Sequence, residues 1–403
     1  MMVTVDHVRP TQSLVLLSIA HAVNHAFGVL LPLIFLAIID EFGASVQAVA
    51  YLAAGGAVVS GMVQLGYAEL TRHVSRRSIL GLGGLLFGGG FAAMALAVDF
   101  VTFSIANVAA RIGSSPQHPV GNGLLAEQYP PRRLGFAISA HISGGNVGTV
   151  VVAIVGVPLL AWLGWRGVSV AFGVATMLIA LAILAFIREH GTDRVAAVAG
   201  GSSRDALRSV LADRDLRWVL LTSVLGGGGR GLGVVNLFVL IYLTRVIGLD
   251  EATSGLMYGA LIVFSVPMPL VAGWLSDRWG RKPLIITAYV GGAIGFGVFI
   301  FGGSSLLWLW AGIVIMGLFS FAESPQLQAL VADLSPAAIR DASYALYFTL
   351  AFGVGSLWTA LYGLVIELMG EPTGLPVVFG LMAASFIAAA LATLPIRTER
   401  ASG

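Results

Sequence analysis

The stretch "GWLSDRWGRKPLI", Gly273 to Ile285, decides the fold. It is a short charged knot between two apolar runs, 252–275 and 284–303. Its tail "RKPLI" (281–285) is matched by "RRSIL" (76–80), 205 residues earlier. The same offset pairs "EFG" before Ala44 with "VIG" before Leu249. "SPQ" stands at 115–117 and again at 324–326, and "LLAEQYP" (124–130) returns as "LVADLSP" (330–336). Four such matches in one order read as a duplicated chain, the organisation of membrane proteins built from two copies of one helix bundle.

Composition agrees. Of the 403 residues 57% are hydrophobic and only 10% charged, and the mean hydropathy is +0.92. A soluble domain has about 25% charged residues, so this is a membrane protein with several spans. The net charge of +2 is what basic cytoplasmic loops leave behind and calls for no nucleic acid. With no cysteine, disulfides and thiolate metal sites are excluded. The first apolar run, 14–39, exceeds the about 7–15 residues of a signal-peptide core and reads as a retained span.

A helix needs roughly 20 apolar residues to cross the hydrocarbon. Twelve segments qualify and are numbered here in chain order as spans 1 to 12: 14–39, 46–70, 78–98, 100–126, 134–162, 167–187, 216–244, 252–275, 284–303, 305–331, 342–366 and 376–396. None alternates as barrel strands do. With both termini cytoplasmic, most of the 22 basic residues fall inside, among them Arg9, Arg72, Arg76, Arg77, Arg132, Arg133, Arg281, Lys282, Arg340 and Arg400. Arg166 and Arg245 fall outside, as the positive-inside rule permits. Residues 188–215 form the one long polar loop, with a Gly-Gly-Ser-Ser linker and a later half that reads as a short amphipathic surface helix. The expected plan is an all-α membrane protein: a six-helix bundle over 1–187, a cytoplasmic linker over 188–215, and a second bundle over 216–403.

"GWLSDRWGRKP" in this setting resembles the loop signature of the major facilitator superfamily between spans 8 and 9, and the resemblance extends along nearly the whole chain. It implies the major facilitator fold, with Gly273, Asp277, Arg278, Gly280, Arg281 and Lys282 as a gating and structural motif. The first-half copy, "AELTRHVSRRS", has Arg72 where the aspartate would align. A finer resemblance is to the fosmidomycin-resistance branch of efflux proteins. It rests on His21, Asn24, Gly113, Ser114, Ser115, His118, Pro119, Gly144, Gly145, Asn146 and Gly148; His25 stands where that branch has aspartate.

Polar groups within the spans mark the site. A charge at the bilayer centre costs about 2.5–3.5 kcal/mol on insertion scales, so such groups face the bundle interior or water. His21 and His25 lie four apart on one face of span 1. A zinc site there would need a third ligand, and the sequence offers no obvious one; metal and cofactor are both expected to be absent. Arg230, in "GGGGRGLG" of span 7, aligns with His25 at the offset of 205. The substrate-binding candidates are His21, Asn24, His25, His118, His141, Asn146, Arg230 and Asn236. Glu323, Arg111 and His25 are the proton-coupling candidates, because an isolated buried carboxylate can take up a proton near neutrality. Pro116 and Pro119 should bend span 4, and Pro325 span 10.

These residues predict a secondary transporter of a small amphiphilic or anionic organic molecule, working by alternating access, with proton-coupled efflux as the first reading and uptake of an organic anion or carboxylate as the alternative. No serine-lysine, zinc-protease or nucleophile-elbow motif suggests an enzyme. A monomer in the bacterial cytoplasmic membrane, meeting a small-molecule substrate, protons and lipid, is the expected setting.

Overall fold

The computed structural model describes residues 8–354 and 356–397, and every regular element in it is helical. Arg400 and both chain ends lie outside the described residues. Among the described residues eight helices are long and apolar enough to cross a membrane, and one of them, Pro131–Phe186, has 56 residues, enough to cross twice. It bends at Gly164, whose φ of 64° is open to glycine, and so supplies spans 5 and 6. Span 1 runs Pro10–Phe42 and ends on Gly43 in the left-handed conformation. Side-chain caps set several starts. Ser45 accepts from Ala48 N–H before span 2 (Val46–His73), and Ser75 from Ser78 N–H before span 3 (Arg76–Met94). Asp99 forms a capping box with Thr102 before span 4.

Among the described residues, spans 4, 7, 8 and 10 are interrupted near their middles. Span 4 is Phe100–Ser114 and Pro119–Gln128, joined by a tight turn over Ser115–Gln117. Span 7 starts as Arg214–Gly226, loosens through Gly227–Gly229, and has Arg230 in extended backbone. Span 8 is Glu251–Val263 and Pro267–Trp279. Span 10 is Leu306–Phe319 and Glu323–Leu334. The polar middle loop holds two short helices, Thr192–Ala199 and Ser203–Ala212; the second matches the expected amphipathic element.

The chain divides into two compact units. The first comprises Met1–Pro130, Ala140–Arg208 and Pro336–Thr349; the second, Pro131–Ser139, Ser209–Ser335 and Leu350–Gly403. The first has an aromatic core in which Phe27 meets Phe87 and Phe91 edge-on at 5.3 and 5.0 Å. In the second, Phe299 and Phe379 pack 5.1 Å apart, each against Tyr242.

At the start of span 3 the buried Arg76 forks onto Asp341 with bonds of 3.0 and 2.8 Å. It also reaches Glu127 at 2.8 Å and Asp193 at 3.3 Å. In the second unit Arg281 pairs with Asp277, reaches Asp333 at 3.0 Å and donates to Pro131 O at 2.7 Å. Asp277 also accepts from Gly135 and Phe136 N–H, both at 2.9 Å. This accounts for residues 131–139 belonging to the second unit. Lys282 caps the carbonyls of Leu394 and Ile396 that end span 12 (Glu371–Thr393), and Arg278 covers the Trp274 ring at 3.7 Å. Gly273 leaves room for Ser139, and Gly280 turns the chain at φ 89°.

Candidate functional site

In the first unit the site begins with the break in span 4. Pro116 has no N–H for Ile112 O, and Ser115 Oγ donates to that carbonyl instead at 2.7 Å. Asn24 of span 1 donates to Ser114 O at 3.0 Å, Gln117 to Leu17 O at 2.9 Å, and Tyr67 bonds Ser115 Oγ at 2.7 Å. Asn24 therefore holds the broken backbone in place, a more specific task than lining a cavity.

The break turns His118 toward His21 and His25. Ring centroids lie 4.4 Å apart for His21–His25 and 4.6 Å for His21–His118, both edge-on. Span 5 adds His141, stacked on His21 at 4.3 Å. Its close approach to span 1 depends on glycines: a side chain at Gly144 would meet Ser18, at Gly145 the His21 ring, and at Gly148 the Ala22 carbonyl. His21 is fully buried, and its Nδ1–H donates to His141 O at 2.9 Å. His25 Nδ1 lies 3.4 Å from Thr149 Oγ1. A third ring beside the His21–His25 pair is the correction the structure makes, since spacing within span 1 could not show it. Asn146 is buried on span 5.

Arg111, before the break, donates to Asn107 Oδ1 at 3.1 Å and lies 5.8 Å over Phe27. Gly56 leaves space for its side chain. It has no acidic partner among the described residues.

In the second unit spans 7 and 10 break together. Gly231 N–H bonds Ser320 O at 3.0 Å, tying one gap to the other. Arg230 Nε then meets Glu323 Oε1 at 3.1 Å. Glu323 is fully buried and opens the second segment of span 10, where the helix dipole favours a carboxylate. Its Oε2 has no hydrogen-bond partner. Of the three proton-coupling candidates, Glu323 thus pairs with Arg230, and Arg111 with an amide. Asn236 lies half-buried in the helix that follows.

Sequence reasoning missed the groups that hold span 7 open. Trp358 Nε1–H donates to Val224 O at 2.8 Å, and Tyr362 OH to Gly228 O at 2.9 Å. Trp358 reads as ordinary packing in the sequence; no local pattern marks a ring as a backbone cap. The Arg76 hub was also missed, although the repeat carried its signal: "RRSIL"/"RKPLI" and "LLAEQYP"/"LVADLSP" align Arg76 with Arg281 and Glu127 with Asp333. Those residues pair in each unit.

A model of the Major Facilitator Superfamily matches residues 16–360 and 231–402. A curated relative described as a putative metabolite transport protein, from Haemophilus influenzae, is 26% identical over 322 residues, 77% of each chain. The fosmidomycin resistance protein of Escherichia coli is 23% identical over 352 residues, 87% of this chain and 85% of that protein. At that identity the kinship reaches the family and not the branch. The crystal structure of the transporter FucP in an outward conformation superposes with a TM-score of 0.80 and 14% identity, over 97% of this chain and 99% of that one, a likeness of fold alone.

Proposed function

The chain belongs to the Major Facilitator Superfamily, and from that premise we propose that it carries a small organic anion across the cytoplasmic membrane by alternating access, coupled to protons through Arg230 and Glu323. It is a multi-pass membrane transporter, not an enzyme. The observation that carries the proposal is the Arg230–Glu323 contact at 3.1 Å with Glu323 fully buried. A buried ion pair that loses one charge leaves the other uncompensated, which is costly. A proton arriving at the open Glu323 Oε2 therefore frees Arg230 for a solute carboxylate. Proton and anion then bind together, and linked binding of this sign is symport. Within the first unit Arg111, His21, His25, His118, His141 and Asn146 are the polar groups of the spans, and Asn24 holds the broken backbone of span 4. In the second unit Asn236 follows Arg230 on span 7.

Symport makes uptake the reading the geometry favours over proton-driven efflux. Efflux remains the second reading, supported by the relative named for fosmidomycin resistance. Proteoliposomes under an imposed pH gradient separate the two with a panel of labelled carboxylates. Symport accumulates solute from the acidic side, and exchange moves it the other way. No gradient-dependent flux of either kind would end both readings.

A further inference from the structure

We propose that His21, His25 and His118 form a binding site for one divalent transition-metal ion of borderline softness, such as Zn²⁺ or Co²⁺. Their ligand nitrogens all lie within 4.8 Å of one another. A tetrahedral ion with metal–nitrogen bonds of about 2.0–2.1 Å sets its ligands about 3.4 Å apart. Reaching that spacing needs the rings to close by up to about 1.4 Å. His21 packs edge-on with both partners, at 80° to His25 and 89° to His118.

The second observation is the hydrogen bonding behind the rings. His21 Nδ1–H donates to a backbone carbonyl, so the lone pair is on Nε2, which is buried and has no hydrogen-bond partner. An acceptor left so in the interior destabilises the fold unless something meets it. Metal-bound histidines are oriented in this way, one ring nitrogen tied to a carbonyl or hydroxyl and the other presented to the ion. Thr149 Oγ1, 3.4 Å from His25 Nδ1, can accept from that ring in the same way. The donor set is all imidazole. Calcium and magnesium require oxygen ligands and do not fit it, whereas zinc, cobalt and nickel do. His25 and His118 are half-buried. Three neutral ligands leave the ion its full charge and an open fourth position, suited to a carboxylate. That last step rests on the anion reading above; the metal site does not.

The test uses purified full-length protein in detergent, with any affinity tag removed, stripped with chelator, and carrying His73→Gln and His190→Gln to silence exposed histidines. It is titrated with Zn²⁺ by calorimetry and with Co²⁺ by visible absorption, no organic anion being present. One ion per chain at micromolar affinity or tighter is expected, with the intense cobalt bands of a tetrahedral site. His25→Ala and His118→Ala should each weaken binding at least 10-fold, and Thr149→Val about 10-fold, as for other lost outer partners. If His21→Ala fails to fold, the two variants on different spans still decide. Unchanged affinity in both, or no binding above that of their double variant, overturns the site. Transport by Arg230 and Glu323 is read separately in metal-free proteoliposomes, so either proposal can fail alone.

Discussion

Each unit breaks helices in mid-membrane and fills the gap with polar groups, but the fillings differ in kind. In the first, span 4 breaks at Ser115–Gln117 and the space holds imidazoles. In the second, spans 7 and 10 break and the space holds an ion pair, Arg230 with Glu323. The inner ends do not differ in this way, since Arg76–Glu127 and Arg281–Asp333 occupy matched positions of the repeat. The duplication thus kept the device that anchors helix ends and let the midspan chemistry diverge. Anchoring needs only a charge pair at a helix terminus. A transport site needs groups that respond to different species.

The sharpest way to break this contrast is to remove one partner of the ion pair. Glu323→Gln should abolish proton-driven accumulation and cost about 3 kcal/mol, because the half-buried Arg230 loses its counter-charge. Adding Arg230→Gln should return most of that stability in thermal melts, with transport still absent. A single variant as stable as the parent would show that the pair is not structurally coupled.

The matched anchors come next. Arg76→Ala exposes Glu127, Asp193 and Asp341 to one another in a buried site and should cost about 3–5 kcal/mol. Arg76→Lys should recover only part, since a lysine cannot fork onto Asp341. Chemical denaturation of the Arg76 and Arg281 variants side by side reads the comparison directly; equal, negligible losses would refute it.

Smaller again are the caps on span 7. Trp358→Phe and Tyr362→Phe each remove one donor to a loosened carbonyl and should cost about 0.5–1.5 kcal/mol, the net contribution of one hydrogen bond. The corresponding loss in the first unit, Asn24→Leu, should be similar in melts.

The smallest effect is at the outer surface. The Trp165 indole N–H and Arg166 hold the Glu41 carboxyl below its ordinary value. Its stabilisation is therefore present above the unfolded value of about 4.3 and is lost as pH falls through the lowered folded one. Melting curves of the parent and Glu41→Gln should differ slightly at neutral pH and converge in acid; divergence in acid would reverse the sign argued here.

The twelve spans, the repeat and the inner-end motif could all be read from residue order. Hydropathy, basic loops and a fixed offset are local or periodic signals, and helices in lipid must satisfy their backbone internally, which leaves few other folds. The repeat even carried the Arg76–Glu127 pairing, because equivalent positions in two copies meet equivalent neighbours. Which proline only bends a helix and which one breaks it was less legible. Pro116 sits in a gap, whereas Pro325 lies two residues inside the second segment of span 10. The outcome depends on whether a neighbour can take the freed carbonyls.

Residue order alone therefore settled that this chain is a twelve-span transporter and named most of the polar groups within it. Only the tertiary structure decided which of those groups meet. His118 joins His21 and His25 because a serine and two amides stabilise a broken helix. Arg230 joins Glu323 because two gaps bond to each other. Trp358 became a cap because span 7 unwound beneath it. Each of these contacts links residues far apart in the chain, and its energy comes from backbone groups that other helices satisfy, so no pattern along one helix could encode it.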